Sequence, residues 1–194
     1  TNDAYLFPMD DFLTSEAIAI SPDLLITRLE TLKAIQNDKP LIVITHLMGY
    51  LHFLPNKKIY KDNILTLSTD MEVSHKDLIE KLQLLGYKRE TIVTKTGELG
   101  VRGFIIDLFP LGESHPIRLE FFGDTVESIR TFDENTQRSL DHLNKVTIYP
   151  CTEFLVDTPL DEDEPPKPLD NYIKVDSIQD YLTDSVTIYK DPSS

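Results

Sequence analysis

Between residues 101 and 149 the chain is written as short apolar runs separated by turn residues, and this limits the fold more than any other feature. The runs 101–109, 117–122, 126–132 and 146–149 are rich in Val, Ile, Leu and Phe. Gly112, Gly123-Asp124 and Asp133-Glu134-Asn135 carry turn chemistry between them. Connections this short join antiparallel neighbours, so the pattern predicts a small antiparallel sheet. Upstream, Ser74 stands ahead of Leu78, Ile79, Leu82 and Leu85 at helical spacing, with Gly86 placed to stop the helix. One helix is therefore expected against the sheet.

The first 66 residues follow a different grammar. Ser21-Pro22-Asp23 is a helix start, with a serine cap, proline at the first helical position and an acid in the first turn. Leu25, Leu29, Leu32 and Ile35 continue it with one apolar face. Leu41-Ile42-Val43-Ile44 reads as a strand buried on both faces. A brief helix is expected over 46–53, ending before Pro55. Helix followed by strand predicts a layered α/β domain.

Residues 153–170 hold seven acids, one lysine and four prolines, and read as a linker centred on 156–168. Beyond it a short helix at 178–182 and a strand at 186–189 are expected to return to the first sheet. The expected division is thus 1–66, a partial α/β domain; 67–155, a β-rich α+β domain; 156–168, the acidic linker; and 169–194, the return segment. The chain opens on Thr1 rather than Met, which suggests an excised piece of a longer protein.

Charge and motifs exclude several functions. With 33 acidic residues against 19 basic ones, the formal net charge is −14. Nucleic-acid affinity depends on neutralising phosphates, so an autonomous DNA- or RNA-binding module is disfavoured. No phosphate loop is present, and the chain has no Gly-Lys dipeptide. The five histidines do not fall into zinc-ligand spacing, and no nucleophile elbow occurs. His46 and His52 read as packing or solvent-exposed residues. The single cysteine, Cys151, reads as a small buried hydrophobe in a reducing cytoplasm. No catalytic, cofactor-binding or metal-binding residue is assigned, and no apolar run is long enough to cross a bilayer.

The run Pro116-Ile117-Arg118-Leu119-Glu120-Phe121-Phe122 sorts its side chains by alternation. Ile117, Leu119 and Phe121 point to the core, whereas Arg118, Glu120 and Phe122 share the other face. An aromatic among charges, beside arginine, is the composition of a protein-binding face. Arg102, in the preceding run, lies beside Arg118 if the two strands pair. The alternative is an Arg118–Glu120 surface pair worth under about 1 kcal/mol, with Phe122 tucked under a loop.

These residues also carry a resemblance. Gly86-Tyr87-Lys88-Arg89, Gly97-Glu98-Leu99-Gly100-Val101-Arg102-Gly103-Phe104-Ile105-Ile106-Asp107-Leu108-Phe109-Pro110, Pro116 to Asp124, Val126 to Arg130 and Thr136-Gln137-Arg138-Ser139 resemble the bacterial transcription-repair coupling factors. Weaker similarity reaches back to Ser21-Pro22-Asp23 and Arg28-Leu29-Glu30-Thr31-Leu32. The resemblance implies a region like the excinuclease B subunit, with 1–66 part of a Rossmann-like or helicase-like domain that begins after a degenerate nucleotide-binding loop. It implies recruitment of the excinuclease A subunit (UvrA) through the β-rich domain, with Arg102, Arg118 and Phe122 at the contact and Glu120 beside them. It further implies a cytoplasmic protein of nucleotide excision repair. Other domains of the full-length protein would meet RNA polymerase and DNA, and ATP and magnesium would serve its distant translocase motor. The segment itself is expected to be non-catalytic. Competing readings are a fragment of the excinuclease B subunit, a bracing or autoinhibitory domain, and a nucleic-acid-binding β module.

Overall fold

The computed structural model describes residues 3–9, 21–37, 39–155, 175–182 and 185. Near the N-terminus, β1 (Asp3–Phe7) pairs in parallel with β2 (Leu41–Thr45), and α1 (Pro22–Ile35) is the helix of the crossover between them. Pro22 occupies the start of α1 and Asp23 its first turn, as the sequence predicts. Leu29 and Leu32 are fully buried, with Leu25 and Ile35 packed at the edge of the same cluster. Thr31 donates from its hydroxyl to the Leu6 carbonyl at 2.6 Å, which fixes the helix on β1.

The expectation that β2 is buried on both faces is corrected here. Ile42 and Ile44 are 49% and 52% exposed, and Leu6 stands open beside them. Among the described residues, α1 covers only the opposite side of this two-stranded sheet, leaving a stripe of apolar side chains uncovered. The expected 46–53 helix is also shorter: α2 spans Leu47–Tyr50, capped by His46, whose Nδ1 accepts from the Met48 amide at 3.3 Å. Then follow β3 (Leu54–Pro55) and α3 (Lys57–Asp62), a helix with an Asn56 cap that the sequence reading did not anticipate.

The β-rich part begins with β4 (Leu65–Ser68), which pairs antiparallel with β11 (Lys145–Ile148). Helix α4 (His75–Leu84) starts where Ser74 accepts from the Asp77 amide at 3.3 Å and stops before Gly86 at φ +90°. A six-stranded sheet follows: β5 (Lys88–Arg89), β6 (Glu98–Arg102), β7 (Ile105–Leu108), β8 (Ile117–Phe122), β9 (Thr125–Phe132) and β10 (Ser139–Leu143). Its order is β10-β9-β8-β7-β6-β5, antiparallel except for the β5–β6 pair. The chain is therefore mixed α and β, dominated by antiparallel sheet. One expected element changes: residues 101–109 are two strands, because Gly103 at φ +58° folds the run into a hairpin.

One hydrophobic cluster runs from Phe7, Leu29 and Leu32 through Leu67 and Leu82 to Leu119, Ile129 and Ile148. Within it, Cys151 is buried, and that burial pushes its thiol up to about 12, partly offset by Tyr87 and Lys33. A smaller cluster of Val93, Phe109 and Phe132 sits apart.

The linker reading does not hold at its first residues, since Glu153 and Leu155 are buried. Glu153 accepts from Arg28 Nε at 2.8 Å and Nη2 at 2.9 Å, and its carboxylate lies 3.2 Å from His52 Nε2. Arg28 also donates to the Pro8 carbonyl at 3.1 Å. Burial opposes ionisation of Glu153, but the hydrogen bonds from His52 and Arg28 outweigh it and hold the carboxyl below its ordinary range. Residues 156–168 and the strand expected at 186–189 lie outside the described residues. The described part of the return segment comprises β12 (Val175–Asp176), antiparallel to β3, and α5 (Ile178–Tyr181). Tyr181 donates to the Pro55 carbonyl at 2.6 Å and packs edge-on against Tyr60. Among the described residues no helix is long and apolar enough to cross a membrane.

Candidate interaction surface

Directly opposed residues of antiparallel strands share a face, so the register sorts the sheet into rows. Gly100 faces Asp107, Asp107 faces Arg118, Arg118 faces Arg130 and Arg130 faces His142. The neighbouring row is Arg102, Ile105, Glu120 and Ser128. The predicted residues Arg102, Arg118 and Glu120 thus stand in two adjacent rows on the side away from the main core. Phe122 ends the alternation of β8 and is 78% exposed, while Phe121 beside it is buried.

Arg102 and Arg118 do not meet by strand pairing, because β7 lies between their strands. They meet on Asp107 instead. Its carboxylate accepts from Arg118 Nε at 2.6 Å and Nη2 at 2.9 Å, and from Arg102 Nη2 at 2.7 Å. The hydrogen bonds that Arg118 donates to Asp107 raise the pKa of Arg118 against the opposing effect of burial. The Arg118 guanidinium lies 4.6 Å from the centre of the Phe132 ring and forms a partial lid over the smaller apolar cluster. Arg118 is accordingly built into the sheet, whereas Arg102 reaches solvent with 58% of its side chain exposed.

Glu120 is not paired with Arg118. It accepts from Ser128 Oγ at 2.7 Å and from Arg130. Asp107, Arg130 and Phe132 were missed from sequence, although a lone acid in Ile105-Ile106-Asp107-Leu108-Phe109 was an available signal for the first. Among the described residues no group of three His, Cys, Asp or Glu could hold a metal ion. The surface offers fixed guanidinium groups and an open aromatic ring, which is equipment for binding.

This sheet falls within residues 65–154, which match the family model described as UvrB interaction domain. Over these residues the chain is similar to the UvrB interaction domain family. The chain is also 35% identical over 155 residues to the transcription-repair-coupling factor of Staphylococcus haemolyticus, covering 80% of this chain and 13% of that protein. The Staphylococcus epidermidis protein of the same name gives the same identity and coverage. That of Staphylococcus aureus is 37% identical over 153 residues, 78% of this chain and 13% of the relative. The chain therefore spans about one eighth of the length of these relatives. The open face of the six-stranded sheet, bearing Arg102, Glu120 and Phe122, is the candidate binding surface.

Proposed function

We propose that the outer face of the six-stranded sheet recruits the excinuclease A subunit (UvrA), as part of a transcription-repair coupling factor that links stalled RNA polymerase to nucleotide excision repair. The observation that carries this reading is Phe122, an aromatic side chain 78% exposed at the end of a row of positioned charges. A solvated sheet face gains nothing from such a ring, and exposed aromatics beside arginines are what interface hot spots use. Relatives named as coupling factors and a family described as an interaction domain support the same reading. The parallel β1–β2 pair, joined through α1, supports treating residues 1–66 as part of a helicase-like α/β layer. The proposed role of this chain is non-catalytic, and ATP-driven translocation is assigned to the remaining length of such a protein.

The test is a titration of the 194-residue chain into purified excinuclease A subunit. Saturable binding is expected, and Phe122→Ala should weaken it by about 2 kcal/mol, roughly thirtyfold. Its thermal midpoint should be unchanged, because the ring contributes little to the core. The Arg102→Ala deficit should shrink as salt rises, as screening of exposed charge requires, whereas the Phe122→Ala deficit should not. A well-folded chain that does not bind would overturn the recruitment reading.

A further inference from the structure

We infer that Asp107 is a positioning residue for this interaction, holding Arg102 in a fixed pose so that its open guanidinium edge receives a carboxylate of the partner; the inference rests on the recruitment reading above. Asp107 is 4% exposed and lies in the middle of the sheet. Arg118 alone answers its charge, since Nε and Nη2 grip both carboxylate oxygens in a bidentate fork. Arg102 is surplus to that need. It comes from the adjacent strand β6, uses only Nη2 on the same Oδ2 that Arg118 already engages, and keeps most of its side chain in solvent.

An exposed arginine tied down in this way loses rotamer freedom and returns little stability. Tying it down gives its benefit on binding, where the ordering cost has been met in advance. Among the described residues Asp107 is the one side-chain partner of Arg102 and takes one Nη2 hydrogen, so one two-point edge of the guanidinium, formed by the other Nη2 hydrogen with its neighbouring N–H, remains available. The trio carries one net positive charge within a chain of net charge −14, and the neighbouring Arg130–Glu120 pair is neutral. A planar guanidinium edge beside one excess positive charge fits one carboxylate in a two-point contact, which a lysine ammonium does not reproduce.

Calorimetry against the excinuclease A subunit would compare wild type, Arg102→Ala, Arg102→Lys, Asp107→Asn and the Asp107→Asn/Arg102→Ala double variant. Arg102→Ala is expected to weaken binding about tenfold in the wild-type background and less than twofold once Asp107 is Asn, because the pose is already lost. Arg102→Lys keeps the charge and, at an exposed position, the fold, yet should bind as poorly as Arg102→Ala. Equal Arg102→Ala losses in both backgrounds, or Arg102→Lys binding like wild type, would overturn the inference. A readout independent of the partner is the Nε–H relaxation of Arg102 in the free chain by nuclear magnetic resonance. An ordered Arg102 Nε that becomes mobile in Asp107→Asn supports positioning, and an already mobile one overturns it even if no partner binds. Absence of binding by wild type overturns the recruitment reading instead.

Discussion

Replacing Arg28 by alanine is expected to cost about 3–5 kcal/mol of stability, the cost of leaving one charge of a buried pair without its partner. Arg28 and Glu153 are 1% and 5% exposed, and they meet through two hydrogen bonds across 125 residues of sequence. After the substitution, His52 alone remains on the carboxylate. A loss of this size is a large share of the stability of an ordinary domain. Urea unfolding at neutral pH measures it. The pH dependence carries a sign that can be checked. Glu153 has its folded pKa depressed below the ordinary 4.5, so its contribution is present above that value and disappears as pH falls through the lower folded value. The gap between wild type and Arg28→Ala should therefore narrow as pH falls below 4.5 toward the lower folded value. A gap that stays constant from pH 7 to pH 3 would mean that Glu153 is not the group being stabilised.

Gly86→Ala is the second large effect, and it strikes the same strip of chain from the other side. Gly86 ends α4 at φ +90°, and a Cβ there would lie 2.7 Å from the Thr152 Cβ and 2.9 Å from the Cys151 backbone. The Cys151 amide donates to the Leu85 carbonyl at 2.7 Å, and Tyr87 donates to the Tyr149 carbonyl at 2.9 Å, so the strip cannot simply move away. Left-handed backbone costs an alanine about 1–2 kcal/mol, and forced repacking adds about 1–3 kcal/mol. A combined loss of about 2–5 kcal/mol in chemical denaturation is expected. The binding face lies elsewhere, so the folded fraction of this variant should bind the partner with wild-type affinity. A loss of affinity exceeding the unfolded fraction would show that the strip and the face are coupled.

Arg28→Ala acts on a residue, Glu153, that composition alone had assigned to a linker, and the reason is instructive. Glu153 looks like one acid among many, because nothing local marks a partner 125 residues away. The alternation of β8, by contrast, is local, and its inward and outward sets were legible from seven consecutive residues. Ser21-Pro22-Asp23 and Ser74 were legible for the same reason, since each helix start is decided within one turn. Asp107 was not, because its role follows from the register of three strands, and that register depends on a turn at Gly103 hidden inside an apolar run. Ile42 and Ile44 mislead in the other direction. An unbroken apolar strand implies cover on both faces, and a sequence does not reveal which cover a given stretch of chain brings with it.

The pairing of early with late segments has a consequence for synthesis. Among the described residues, strand β3 at Leu54–Pro55 finds its neighbour in Val175–Asp176, and Arg28 finds its counter-charge at Glu153. A ribosome adding about 5–20 residues per second delivers those partners on the order of ten seconds after the residues that await them. During that interval Arg28 and the β3 edge are exposed to whatever else the cell offers, while the sheet of residues 88–143 has all its strands and can close first. The binding face is then assembled before the segment that precedes it in the sequence.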